Sequence, residues 1–392
     1  MCRLRSVALL LVITAQSAAC TATPEPSAVE VAVPGQVATW QGIEPSGLEA
    51  RHGAQAFWTG KEVLVLGGDA ARPSCPFEAD CDPGPTAFRS DGAAFDPEKG
   101  TWRPLASAPV PLVNTSGAVV DGTLYLWVVG QAPGDAAGSS FLAYRISEDH
   151  WERLPDPDGL SAATRLVAAG SLVVAVGGSQ ENDVTPDRRF DPATGIWSDL
   201  PFDPLAPAYD RAAVWTGRDL LALGIRIDPT IPPNRAPVYS AAAIELPHGD
   251  WRRLPDSEIT GWNPTWFWSG GRIVNPSIGS ADGGQVNNWG RSYPFGGMLA
   301  PSGGWSNLPE LPPGEGRFQG LSVGGTESVV SSEGWVLHVP TGRWTPLALT
   351  PAGRVEGAAS TWAGDRLFVW GGVQWNGGQG VVLDAGWTWL AP

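Results

Sequence analysis

Ala93 to Leu105 reads AAFDPEKGTWRPL. An apolar run ends in Phe95-Asp96-Pro97, a Lys-Gly turn follows, and Trp102 comes next with Leu105 three residues on. The Trp and its Leu return at Trp151/Leu154, Trp197/Leu200, Trp251/Leu254, Trp305/Leu308, Trp344/Leu347 and Trp387/Leu390. Successive tryptophans stand 49, 46, 54, 54, 39 and 43 residues apart. Self-similarity at a period of roughly 40–50 residues marks a repeat architecture, in which each unit buries its apolar face against its neighbours. A buried Trp removes about 150–250 Å² from water, so a Trp returning in every unit reads as the glue between units. The same reading covers Trp58, Trp215, Trp268 and Trp362, each two residues before a hairpin glycine.

Outward from that stretch, each unit divides into four short strands bounded by glycine, the signature of an antiparallel meander. Unit one predicts strands at Ala54 to Trp58, Glu62 to Leu66, Ala93 to Phe95 and Trp102 to Leu105, with Gly67-Gly68 closing the second. A double glycine there permits positive φ and close approach of backbones. Unit three repeats the order with Leu166 to Ala169, Leu172 to Val176, Gly177-Gly178 and Arg189-Phe190-Asp191-Pro192. Unit seven shows Leu367 to Trp370 and then Gly371-Gly372.

These glycine pairs, with the two Phe-Asp-Pro triplets six residues ahead of their Trp, resemble the kelch repeat, the four-stranded blade of a β-propeller. The six-residue step is longer than that of the sialidase Asp-box. The resemblance thins in unit two (Gly130), unit four (Gly224), unit five (Asn275-Pro276) and unit six (Ser331-Ser332). It implies an all-β, seven-bladed kelch-like propeller, with six blades as the fallback if unit five or six is degenerate. Trp40-Gln41-Gly42-Ile43 is an eighth copy of the fourth-strand signal. Either it or the Trp387/Trp389 segment closes the ring, and closure hides sheet edges that would otherwise pair with other chains.

The formal net charge is −15, and Lys61 and Lys99 are the only lysines. Phosphate binding needs a basic face, so nucleic acid is excluded as a partner. Gly (50) and Pro (37) are abundant, yet 20 Trp and a large aliphatic content rule out a disordered chain.

Residues 1–19 read as a signal peptide: Arg3 and Arg5 precede an apolar run from Val7 to Ile13, too short to span a bilayer as a mature helix. Ser17-Ala18-Ala19-Cys20 resembles a bacterial lipoprotein signal, although Ser17 stands where an aliphatic residue is usual. The resemblance implies lipidation of Cys20 and an extracytoplasmic protein anchored to the cell membrane; ordinary cleavage and secretion is the alternative. Residues 20–36, rich in Thr and Pro, form an extended tether, and 37–392 form the propeller. In an exported protein the close pair Cys75 and Cys81 predicts a disulfide. Glu78, Asp80 and Asp82 beside it read as a solvated acidic loop rather than a Ca²⁺ site.

Kelch-like propellers include the galactose oxidase family, whose copper site needs two His and two Tyr, one crosslinked to Cys. Here His150 and His248 fall in third-to-fourth strand turns, His338 takes the place of Asp96, and only His52 lies near the rim that such a site would occupy. Copper oxidase chemistry is therefore disfavoured, and neither a metal nor a cofactor is expected. No G-x-S-x-G elbow with a His partner is present, and no catalytic residue is assigned.

Five arginines, Arg51, Arg165, Arg211, Arg317 and Arg354, stand where units begin their first strand. In such propellers those starts and the second-to-third strand loops line the mouth of the channel. Guanidinium forks there suit carboxylates. Side chains alternate along a strand, and Arg51, Arg165 and Arg317 share one parity while Arg211 and Arg354 share the other. Arg paired with neighbouring carboxylates such as Asp210 is the structural alternative. Trp262, Trp266, Trp289, Tyr293 and Trp375, with Asn287 and Asn288, add aromatic and amide groups that could stack on a sugar or fold back as lids. The expected site is thus Arg51, His52, Arg165, Arg211, Arg317, Arg354, Trp262 and Trp289. Its expected ligand is a sugar acid or a carboxylate-bearing peptide, bound by a non-catalytic scaffold. The alternatives are an enzyme resembling the kelch-type sialic acid mutarotase, with Glu49, His52 or Glu356 as its ionisable group, and a purely structural envelope protein.

Overall fold

The computed structural model describes residues 39–76, 84–113, 115–129, 138–157, 159–161, 163–181, 183–227, 230, 239–256, 265–278, 296–314, 316, 318, 320–376 and 378–390. Cys20 and the leader, Cys81, Arg317, Trp262 and residues 279–295, Trp289 among them, lie outside them. Among the described residues there is no helix, and seven four-stranded antiparallel sheets follow one another as blades. Blade one consists of Gln55–Trp58, Val63–Leu66, Gly92–Asp96 and Thr101–Leu105. Blades two to six repeat the meander from Thr115–Val120 to Arg343–Pro346. All seven expected units are present, so the six-blade fallback is discarded.

Blade seven settles how the ring closes. Its order is Ala359–Ala363, Arg366–Trp370, Gly386–Leu390 and then Trp40–Gly42 from the start of the body. Trp40 pairs with Trp389, and Gly42 with Trp387. The Trp387/Leu390 segment is therefore a third strand rather than the fourth its motif suggests. The hairpin Val373–Asn376/Gln379–Val382 is an addition between the second and third strands that the repeat does not foretell.

One hydrogen bond recurs around the ring and explains the fixed place of the tryptophans. Trp102 Nε1 donates to the Glu44 carbonyl at 2.8 Å, Trp151 to Ala106 at 2.7 Å and Trp251 to Pro201 at 2.8 Å. Trp305 donates to Pro255 at 2.7 Å, Trp344 to Pro309 at 3.0 Å and Trp40 to Ala348 at 2.7 Å. Each acceptor lies four residues after the fourth-strand Trp of the preceding blade. The indole thus buries its apolar body at a seam while its N–H finds the neighbour's backbone. Trp40 obeys the rule, which identifies it as the seventh fourth-strand tryptophan. Trp197 breaks it, since its buried Nε1 has no acceptor among the described residues.

Apolar packing between neighbouring sheets makes up much of the rest of each seam. Between blades seven and one, Phe95 packs on Phe368 at 5.6 Å, and Trp102 meets Trp370 edge-on at 6.5 Å. Val63, Val65, Ala359 and Trp370 complete that cluster. The Phe-Asp-Pro triplet supplies both halves of the device. Phe95 faces the seam, and the Asp96 carboxylate accepts the Glu98 and Lys99 amides at 3.0 and 3.1 Å, turning the chain into the fourth strand.

Candidate functional site

The mouth is built where first strands begin. In blade one the chain entering the first strand doubles back against the residues that follow Gly67-Gly68. His52 and Asp69 exchange backbone bonds of 2.9 and 2.8 Å. Both glycines have positive φ. A Cβ at Gly67 would lie 2.4 Å from the Leu112 carbonyl oxygen, and one at Gly68 would lie 2.7 Å from that of His52. Gly371 and Gly372 serve the same purpose against Arg51 and Glu356. Gly177 and Gly178 do not adopt positive φ, so that pair is kept for close approach alone: a Cβ at Gly178 would sit 2.9 Å from the Ala163 carbonyl oxygen.

Asp69 is buried, and its Oδ1 accepts the amides of Ala71 and Ala87 at 2.8 and 2.7 Å, which ties down both described ends of the long excursion of blade one. Beside it a cavity of about 910 Å³ opens across blades one, two and three. His52, Asp69, Gln55, Thr115, Ser116 and Arg165 bring its polar groups, and Phe57, Phe88 and Val113 its apolar wall. Burial lowers the His52 pKa below its usual 6.5, with the Asp69 charge and the Ala71 backbone pulling the other way. The Thr115 hydroxyl oxygen is buried and has no partner among the described residues. Ser116 Oγ accepts the Leu166 amide at 2.8 Å, which fixes the start of blade three against blade two and so sets where the neighbouring Arg165 stands.

The expected arginines separate into different roles. Arg165 is exposed and lines the cavity with His52. Arg51 is buried at 1% exposure; it grips Asp91 through bonds of 2.6 and 3.0 Å and donates to the Gly67 and Glu49 carbonyls. That fork holds the Asp91 carboxyl below the usual carboxylate range. Arg211, 4% exposed, does the same between blades three and four, reaching Asp187 at 2.6 and 3.0 Å, Asp203 at 2.7 Å and the Gly177 carbonyl at 2.7 Å. Both guanidiniums act as seam clamps. Parity fails as a guide because Arg51 precedes its strand and Arg211 follows a register shift between Tyr209 and Ala212, where Asp210 has a φ of +47°. Asp210 is not the partner of Arg211.

Arg354 is exposed on the rim at blade seven, 3.4 Å from Glu356, which also accepts the Trp375 indole N–H at 2.9 Å. Glu49 pairs with Arg89 at 2.6 Å. Sequence reasoning missed Asp69, Thr115 and Phe88. The signal available was position: Asp69 directly follows the glycine pair, and Thr115 opens a first strand.

The four hairpin tryptophans also pack at seams, Trp58 between blades seven and one, Trp215 between three and four, Trp268 between four and five, and Trp362 between six and seven. They come from the innermost strands, and Trp58, Trp215, Trp268 and Trp362 all border the central channel. Trp362 is packed away, donating to the Val323 carbonyl at 3.3 Å, while the other three are half-buried.

No family model matches the chain. It is 29% identical over 204 residues to "Kelch-like protein terF" of Aspergillus terreus, covering 48% of this chain and 42% of that one. It is also 29% identical over 153 residues to the human "Kelch repeat and BTB domain-containing protein 13", covering 35% and 33%. The chain thus spans less than half the length of these curated relatives. The solved "Structure of YjhT" aligns over 88% of this chain and 95% of that one, with 14% identity and a TM-score of 0.45, too loose a likeness to carry an argument. Blade count, glycine pairs and the two curated likenesses together support a kelch-repeat β-propeller.

Proposed function

We propose that this chain is a binding scaffold that takes a carboxylate-bearing ligand, a sugar acid or an acidic peptide, in the mouth cavity of blades one to three. The observation that carries the reading is the convergence of Arg165 and His52 with Phe57 and Phe88 in one cavity of about 910 Å³. A cationic fork beside aromatic faces suits a ligand with a charged end and an apolar or ring-shaped body. The kelch likeness supports an interaction role, and a purely structural protein would not need such a cavity.

Calorimetric titration with glucuronate and with a short poly-glutamate peptide tests the reading. Arg165→Ala is expected to weaken binding about tenfold or more, the scale of a charged hydrogen bond. Salt should weaken it further. Binding by neither probe, or binding indifferent to salt and to Arg165→Ala, sinks the proposal. Because Arg165 is exposed, its loss is expected to leave the fold intact.

The same proposal places the protein outside the cytoplasm, anchored through a lipidated Cys20 and a tether over residues 20–36, with Cys75 bridged to Cys81. Cys20→Ala should move the chain from the membrane to the soluble fraction. An unchanged membrane fraction would rule out the lipid anchor.

A further inference from the structure

We propose that the central channel is a second ligand site, adjoining the mouth cavity at Phe57 and Gly117, and that it takes an uncharged sugar ring. The channel has a volume of about 610 Å³, within the roughly 300–1,000 Å³ of small-molecule pockets. Every blade contributes its first strand to the lining. Phe57, Trp58, Trp215, Phe267 and Trp268 border the space, and none of them is fully buried.

Their placement follows from the hairpins. Trp58, Trp215 and Trp268 each stand two residues before a glycine of positive φ, Gly60, Gly217 and Gly270. Blades one, four and five therefore bring an indole to the same level of the channel, as blade seven does with Trp362 ahead of Gly364, an indole that is packed away. Blades two, three and six bring Val119, Ala168 and Gly324 to the lining instead. The large rings need that space: a Cβ at Gly117 would lie 2.6 Å from the Phe57 ring, and one at Gly324 would lie 2.3 Å from that of Phe267.

Three chemistries compete for such a space. A charged ligand finds no counter-ion, because no charged side chain among the described residues lines the channel. A wholly apolar ligand would strip water from backbone without replacing it. Each first strand has a sheet neighbour on one side only, so its other edge turns alternate N–H and C=O groups toward the axis, and desolvating them unpaired is costly. A neutral pyranose meets both demands: its C–H face stacks on an indole, and its hydroxyls exchange hydrogen bonds with the backbone edges and with Thr361 or Thr326. The carboxylate of the mouth ligand has no place here, and the neutral ring has no need of Arg165.

Cellotetraose and maltotetraose, titrated into the full chain and followed by tryptophan fluorescence and calorimetry, test the assignment. Saturable binding of at least one is expected, insensitive to salt and to Arg165→Ala. Trp268→Ala should weaken it about tenfold, the loss of one stacking face. Thr326→Arg should weaken it comparably by placing a long charged side chain at the channel; Thr326 is exposed in a hairpin, so this variant keeps the packing intact. If neither sugar binds the unaltered chain at millimolar concentration, or both variants bind as it does, the assignment is overturned. Failure of the Arg165 test alone leaves it standing, because the two sites share no cation.

Discussion

Trp40→Ala is expected to destabilise the propeller by about 3 kcal/mol, the low end of the ~3–5 kcal/mol of fully buried tryptophans. The ring is half-buried, meets Phe318 edge-on at 5.8 Å and donates to the Ala348 carbonyl at 2.7 Å. Deleting residues 39–44 should do more. It removes the last strand of blade seven and takes with it the Glu44 carbonyl that accepts from Trp102. Gly386–Leu390 would then become an open edge, a template for pairing with another chain. Loss of the monomer peak in size-exclusion chromatography, with a lowered Tm, is the expected result. A deletion variant as stable and monomeric as the parent would place closure on Gly386–Leu390 instead, contrary to the pairing of Trp40 with Trp389.

Arg211→Ala comes next in size. Removing one partner of a buried ion pair costs about 3–5 kcal/mol because the remaining charge has neither water nor counter-ion. Here two carboxylates, Asp187 and Asp203, would be left facing each other with side chains 7% and 3% exposed. Arg165→Ala is the matched control; it removes the same side chain from an exposed position and should stay within about 0.5 kcal/mol of the parent. Replacing Arg211 and both aspartates together by apolar residues of similar volume should recover much of the loss, since the ions are costly to desolvate. Denaturant midpoints for the set decide the matter. An Arg211→Ala variant within the control's range would show that the clamp contributes nothing to the seam between blades three and four.

The repeat was legible because a fixed role for Trp fixes its distance along the chain. Trp102, Trp151, Trp251, Trp305 and Trp344 all face a seam, and each one's acceptor is itself set by the preceding Trp. The same motif misled at Trp387, where an apolar third strand carries an indole two residues before Trp389 and three before Leu390. What separates them is a pairing between the two ends of the body, which no local pattern contains. The mouth was legible only in part. His52 and Arg165 could be placed because strand starts and glycine pairs mark the rim. Arg51 and Arg211 could not be told from them, since Asp91 lies 40 residues from Arg51, and Asp187 and Asp203 lie 24 and 8 residues from Arg211 with no pattern marking them. A one-residue shift at Asp210 was enough to undo the parity count.

The closing strand also fixes when the molecule is complete. Trp40 finds its acceptor 308 residues further along the chain, so a ribosome must translate all of that intervening stretch before the two can meet. Blades one to six consist of consecutive strands and can assemble during synthesis. The final sheet waits for both ends of the body, a contact of very high order and correspondingly slow formation. Until then the nascent polypeptide carries an incomplete blade, and a chaperone or a delay in release at that stage would protect the one sheet that cannot be finished early.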